Sequence, residues 1–321
     1  MTSSEPMARK QPVLPPAKGL RLSPFRQAPT VAASTPPALP KRGRLVDLGG
    51  RSLRVVAEGE RRGQPLVVCE AGAFGVAADF AAVQEALSPH MRVLAYDRAG
   101  LGYSDPGPEP RDSRAISDDL RALLIRLGEP GPYILVGHSM AAVHIQVFAL
   151  RWPDLVKGVV LLDALPAEAL ARPATMRFVR GAVPLARLAQ AGSSVLFNAL
   201  SAPLLGDAVG LTGEAHAEKL RAFASPQHNL WSAKEIECWL KDGEEARALG
   251  EFNRELPVAV VTAGRARVWW KRMQAEPAHR SRSGYAENVA KAGHASLLGP
   301  KHCQAAVRAI DFVMKAALAA R

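Results

Sequence analysis

From about residue 44 onward, short apolar runs alternate with longer stretches whose apolar positions recur at helical spacing. Pro65-Leu66-Val67-Val68-Cys69, Met91 to Tyr96, Ile134 to Val136, Val156 to Leu162 and Pro257 to Thr262 read as strands, with another around Tyr285 to Ala290. Uninterrupted apolar runs of this kind belong to strands covered on both faces. Gly43 to Asp47 and Ser52 to Ala57 flank the pair Gly49-Gly50 and predict a hairpin. Between and after the runs, Ala78 to Leu87, Ser113 to Leu127, Val143 to about Arg151 and Cys303 to Ala319 carry the helical period. Strand–helix alternation predicts an α/β fold with a mainly parallel sheet and helices on both faces.

The alternation stops at about Leu165. As far as Leu249 the chain is rich in Ala and Leu, helix-like, and without a convincing strand. A helical block between two strands of such a sheet predicts an insertion over the strands' carboxyl ends, where ligands of open α/β sheets bind. The expected organisation is a Pro-rich basic tail (1–43), a core (44–164 and 251–321) and a helical cap (165–250).

Charge changes this picture little once it is located. The formal net charge of +11 suggests a polyanion partner, but residues 1–43 hold seven basic residues and one acid. The same segment holds nine of the 25 prolines and shows no apolar period, which predicts disorder. An Arg-rich, acid-poor start faintly resembles a transit peptide, but the prolines argue against it. The tail lacks the apolar run of a secretory signal, and no stretch reaches the roughly 18 to 20 apolar residues of a spanning helix. Cys69, Cys238 and Cys303 are odd in number and lack Cys-x-x-Cys spacing, which fits a reducing compartment without a disulfide framework or zinc site. A cytoplasmic protein is therefore expected, with no nucleic-acid partner, membrane span or metal.

The candidate chemistry centres on Tyr133-Ile134-Leu135-Val136-Gly137-His138-Ser139-Met140-Ala141-Ala142. A strand runs into a Gly-x-Ser-x-Ala turn and a helix follows. A serine on such a turn is raised out of the sheet, and small residues are needed two positions either side because strand and helix backbones approach closely. Gly137 meets that need, and Ala141 adds one methyl group.

Three further strings complete a pattern: Glu70-Ala71-Gly72-Ala73-Phe74-Gly75, Asp97-Arg98-Ala99-Gly100-Leu101-Gly102-Tyr103-Ser104, and a late Gly293-His294. Together with the serine turn they resemble the α/β-hydrolase fold family over residues 44–321, with the Asp-Arg string similar to esterase-like and epoxide-hydrolase-like branches that carry helical caps. The resemblance implies the order nucleophile, acid, histidine: Ser139 as nucleophile, activated by His294. It implies an oxyanion hole made of the N–H groups of Met140 and Ala73. Most relatives carry the acid after the strand matching Pro257 to Thr262, but here that loop has no carboxylate, and Glu276 falls inside the next helix. Some branches place it one strand earlier, where Asp163 stands; an unassigned acid or a degraded triad are the alternatives. Asp97 and Arg98 are implied to hold the loop near the oxyanion turn. Glu70 reads as a buried brace bonded to backbone N–H groups, or as a group tuning the site.

Met176, Phe178, Trp231 and Trp239 could line an acyl pocket or simply form core. Arg265, Arg267, Lys271 and Arg272 could favour an anionic substrate or form a solvated face. The resemblance implies a cofactor-independent serine hydrolase whose partner is a small-molecule acyl substrate, an ester or other activated acyl compound of small to medium size. Carbon–carbon hydrolysis or perhydrolysis by the same triad, and a non-catalytic ligand-binding protein, are the alternatives. Dehalogenase and epoxide hydrolase chemistry needs a carboxylate nucleophile, which serine at 139 disfavours.

Overall fold

The computed structural model describes residues 41–190 and 208–320. The expected disordered tail therefore lies outside the described residues, except for its last three positions.

Eight strands form one sheet: β1 (Arg44–Asp47), β2 (Ser52–Glu58), β3 (Leu66–Glu70), β4 (Val93–Tyr96), β5 (Tyr133–His138), β6 (Val156–Leu162), β7 (Val258–Ala263) and β8 (Gly284–Val289). Their order across the sheet is β1-β2-β4-β3-β5-β6-β7-β8. β2 pairs antiparallel with β1 and β4, and every later pairing is parallel. The hairpin turns at Asp47, whose Oδ1 accepts the N–H groups of Gly49 and Gly50.

Alternate residues of the central strands point to opposite faces. Val67, Cys69, Ile134, Val136, Val160 and Val261 pack on one side with α1 (Ala81–Leu87) and α9 (Gln304–Ala319). Leu66, Val68, Leu135, Val159, Leu161 and Val260 pack on the other with α2 (Ser113–Arg126) and α3 (Ala141–Arg151). Both faces are thus covered, which is why these strands read as continuous apolar runs.

The stretch expected as one helix from Ala78 is instead a 3₁₀ turn (Ala77–Phe80) leading into α1. Its first N–H groups are drawn to side chains: Val76 N–H to Asp79 Oδ2 at 3.1 Å and Ala77 N–H to Asp97 Oδ1 at 2.7 Å.

Between β6 and β7 the described residues form α4 (Ala167–Leu170), α5 (Pro173–Gln190), α6 (Gly213–Ala224) and α7 (Pro226–Leu249). Residues 191–207 of this insertion lie outside the described set. α7 has local start and stop signals: Ser225 Oγ accepts the His228 N–H, Pro226 opens the helix, and Gly250 ends it at φ 97°. An apolar cluster joins the insertion to α3, with Met140, Val143 and Val147 against Leu170, Ile236 and Trp239.

Buried charges make the other attachments. Arg54 meets Glu218 at 2.6 Å, Lys219 meets Asp79 at 2.7 Å, and Arg98 meets Glu235 at 2.8 Å. A fourth attachment is a hydrogen bond and not an ion pair: Asp242, whose carboxyl burial pushes up to about 7, accepts the Ser113 N–H at Oδ1 at 2.7 Å. Removing one partner of a buried ion pair costs about 3–5 kcal/mol, because the other charge is left desolvated and unpaired. Among the described residues, no helix is long and apolar enough to cross a membrane.

Candidate active site

The turn between β5 and α3 holds Ser139 at φ 56°, a left-handed conformation that is costly for a residue with a Cβ. Hydrogen bonds on both sides hold it there. Ser139 N–H donates to Leu162 O at 3.0 Å, and Ser139 O accepts from Leu165 N–H at 3.0 Å and Ala142 N–H at 3.2 Å. A Cβ at Gly137 would stand 2.8 Å from Ile145 Cδ1 and 3.0 Å from the Ala141 backbone, so a larger residue would crowd the point where strand and helix meet.

Phe74 (φ 57°) and Asp163 (φ 41°) are the other non-glycine residues with positive φ among the described residues. All three lie in loops at the carboxyl ends of neighbouring strands β3, β5 and β6. Strain concentrated at one edge of a sheet is a mark of a functional site.

His294 lies in the loop after β8, and its Nδ1–H donates to Asp163 Oδ2 at 2.6 Å. That bond fixes the tautomer and leaves Nε2 as the proton acceptor. The other Asp163 oxygen accepts the Ala263 N–H at 3.0 Å and Gln274 Nε2–H at 3.2 Å. Burial pushes the Asp163 carboxyl up, but the bonds from His294 and Ala263 outweigh it and hold the group below its ordinary value. It is therefore ionised at neutral pH. Ala263 ends β7, so the strand that usually precedes the acid here donates a backbone N–H to an acid carried by its neighbour. Glu276 lies on α8 (Val268–Arg280) with its carboxylate bonded to Arg280.

Ser139, Asp163 and His294 share the lining of one cavity of about 780 Å³. Phe178 and Trp239 also line it, stacked with ring centroids 5.5 Å apart, as do Trp269, Trp270, Arg172 and Arg177. A cavity of about 350 Å³ lies behind Ala164, Leu165 and Gln274 and includes neither Ser139 nor His294. Of the four apolar residues named from the sequence, Phe178 and Trp239 face the site. Trp231 instead packs on Gly100, where an added Cβ would be 2.1 Å from its ring, and Met176 is outside the lining.

The two expected oxyanion donors both belong to turns that meet at Ser139. Met140 N–H opens α3, and Ala73 follows Gly72, where a Cβ would come within 2.8 Å of Ser139 Cβ. Neither N–H has an acceptor among the described residues. Arg98 bonds the carbonyls of Ala71 and Gly72, the latter at 2.9 Å. Asp97 accepts the N–H groups of Ala77 and Tyr103. Both residues hold the loops around the turn, as expected.

Two expectations need correction. Glu70 is buried, but it meets side chains rather than backbone N–H groups: His144 Nδ1 at 2.9 Å and, at 4.0 Å, Arg98 Nη1. Lys271 is not part of a solvated basic face. Its ammonium donates to Ala263 O and lies 4.0 Å from Asp163, while Arg265, Arg267 and Arg272 are exposed.

His138 has a role that the sequence pattern does not reveal. Its Nε2–H donates to the carbonyl of His294 at 3.0 Å, and the two rings lie 4.6 Å apart. Burial, then the His294 imidazole, pushes its pKa down to about 3, so it is a neutral strut under the histidine loop. The only sequence signal is its position one residue before the serine.

A sequence profile for the alpha/beta hydrolase fold matches residues 65–297. The probable transporter efuK of Hormonema carpetanum is 38% identical over 126 residues, 37% of this chain and 18% of that protein. The 2-(acetamidomethylene)succinate hydrolase of Mesorhizobium japonicum is 33% identical over 123 residues, 38% of this chain and 43% of that one. The chain thus spans less than half the length of each of these two relatives. Among solved structures, a Pseudomonas aeruginosa protein provisionally named an epoxide hydrolase superposes with a TM-score of 0.71 at 18% identity, covering 89% of this chain and 100% of the other. A thermophilic esterase from Thermogutta terrifontis gives 0.64 at 19% identity, covering 85% and 99%. Identities this low speak to the fold alone.

Proposed function

Because the chain belongs to the α/β-hydrolase fold family, we propose that it is a cofactor-independent serine hydrolase acting on carboxylic esters or similarly activated acyl compounds. The observation that carries this reading is the His294–Asp163 bond of 2.6 Å inside a cavity that also contains Ser139.

In this mechanism Ser139 Oγ attacks the acyl carbon while His294 Nε2 takes its proton. Asp163 holds the imidazole in the required tautomer and stabilises the imidazolium. The Met140 and Ala73 N–H groups receive the negative charge that develops on the acyl oxygen. His294 then protonates the leaving alcohol, and water, activated by the same imidazole, releases the acid and frees the serine.

The aromatic wall suits an acyl or alcohol part with an apolar body. The cavity volume of about 780 Å³ suits a small to medium-sized molecule. Within the insertion of residues 165–250, helices α4 to α7 serve as a cap over this cavity, with 44–164 and 251–321 as the hydrolase core. Epoxide opening through a carboxylate nucleophile finds no acid at position 139.

The test is a series of 4-nitrophenyl esters of graded acyl length, together with labelling by a fluorophosphonate probe. Wild type is expected to turn over the short and medium esters and to be labelled at Ser139. A protein that neither reacts with the probe nor cleaves any ester would overturn the reading.

A further inference from the structure

We infer that Glu235, on the helical insertion, is a positioning residue that sets the direction of the Ala73 N–H through Arg98, an inference that rests on the serine-hydrolase reading above. Arg98 is 2% exposed and sits between two sets of acceptors. On one side its Nε and Nη2 donate to the two carboxylate oxygens of Glu235, at 2.9 and 2.8 Å. On the other, Nη1 and Nη2 donate to Ala71 O and Gly72 O. The planar guanidinium fixes the angle between these two sets.

The carbonyl of Gly72 belongs to the same peptide unit as the N–H of Ala73. A trans peptide is planar, with its C=O and N–H pointing in opposite directions. Holding Gly72 O, which also accepts the Gly75 N–H at 3.0 Å, therefore directs the Ala73 N–H away from Arg98. Oxyanion stabilisation depends on that direction, because the donor must aim where charge will form and not where it rests in the ground state.

Glu235 reaches this point because α7 lies along the loop that carries Arg98. His228, Trp231 and Glu235 recur at i, i+3 and i+7, one face of the helix. His228 Nδ1 accepts the Gly102 N–H at 3.1 Å, and Trp231 covers Gly100. Without the Glu235 charge, the nearest carboxylate to Arg98 is Glu70 at 4.0 Å from Nη1, on the side away from this bidentate grip. The guanidinium then swings towards Glu70 and loosens its hold on the two carbonyls. The insertion thereby takes part in building the oxyanion hole as well as enclosing substrate.

The experiment compares wild type, Glu235→Gln and Glu235→Asp by ester kinetics, by inhibition with butylboronic acid, and by hydrogen exchange at residues 71–75. A whole oxyanion donor is worth about 10²–10³ in kcat, so a misaimed one in Glu235→Gln is expected to cost about 10- to 100-fold. KM should stay within about twofold, since the lost interaction belongs to the transition state. The boronate, which mimics the tetrahedral adduct, should lose affinity by the same factor, and amide exchange at 71–75 should quicken. Glu235→Asp should recover part of each effect.

A folded Glu235→Gln protein with unchanged kcat, boronate affinity and exchange would overturn the inference. So would a rise in KM alone. Should Glu235→Gln not fold, Glu235→Asp and Arg98→Lys carry the same readouts, and the same outcomes decide. If wild type itself cleaves no ester, the hydrolase reading fails, and exchange at 71–75 alone decides whether Glu235 controls the turn.

Discussion

The rim of the sheet and the helical insertion are built by different physics. At the rim, the residues that matter sit on strained backbone: Phe74, Ser139 and Asp163 all have positive φ, Ser139 is held by three main-chain bonds, and Asp163 by one main-chain bond and those to its carboxylate. The insertion is attached by an apolar cluster on α3 and by buried ion pairs, in which Glu218, Lys219 and Glu235 each meet a core partner of opposite charge. Strained loops tolerate little movement, so the rim keeps its geometry as long as the groups that grip its loops, Arg98 and Glu235 among them, stay in place. Charged anchors are all-or-none, because half of a buried pair is worse than neither. Damage at the rim should therefore appear as lost chemistry and damage to the anchors as lost stability, with Glu235, which reaches the rim through Arg98, the exception that shows both.

The sharpest way to break the comparison is at the rim. Ser139→Ala is expected to lower kcat/KM on the order of 10⁴- to 10⁶-fold while leaving the urea midpoint unchanged; substantial residual turnover would remove the serine from the mechanism. Asp163→Asn should cost about 10⁴-fold in kcat, because the amide favours the wrong tautomer of His294. Wild-type kcat in the Asp163→Asn protein would place the acid elsewhere.

The insertion should answer differently. Lys219→Met leaves Asp79 buried without its cation and is expected to cost about 3–5 kcal/mol in urea unfolding, with kcat of the folded fraction little changed. A neutral result would mean that water reaches Asp79.

The smallest effect concerns pH. His138 and His228 are both buried, and their pKa values are pushed from 6.5 down to about 3. Between those values the unfolded chain binds protons that the folded chain does not. Their contribution is thus fully present above pH 6.5 and declines as pH falls towards 3. Urea midpoints at pH 7.5 and pH 5 should differ less in His138→Gln than in wild type. An equal drop in both proteins would show that His138 titrates normally.

Legibility in the sequence follows the same division. Strands buried on both faces announce themselves, and β1 to β7 lie close to where the apolar runs and the Gly49-Gly50 hairpin put them; β8 is an edge strand of alternating exposed and half-buried residues, close to the expected Tyr285 to Ala290 but without such a run. Ser139 is readable because its turn has a local rule: a strand, a glycine where a larger residue would be crowded, and a helix. Phe178 and Trp239 cannot be sorted from Trp231 by sequence, since all three obey a helical period and only the packing says which face meets the cavity. Glu70 reads correctly as buried but with the wrong partners, because a carboxylate's partner can come from anywhere in the chain.

By itself, then, the sequence determined the succession of elements along the chain, the elbow and the helical insertion, since each depends on spacing within a few residues. Only the tertiary structure decided that Asp163 meets His294 across 131 positions, that His138 props the histidine loop from below, and that Glu235 reaches Arg98 across 137. The reason is physical: backbone strain and helical period are local properties, whereas contacts between residues more than a hundred positions apart are settled by which surfaces the fold brings together.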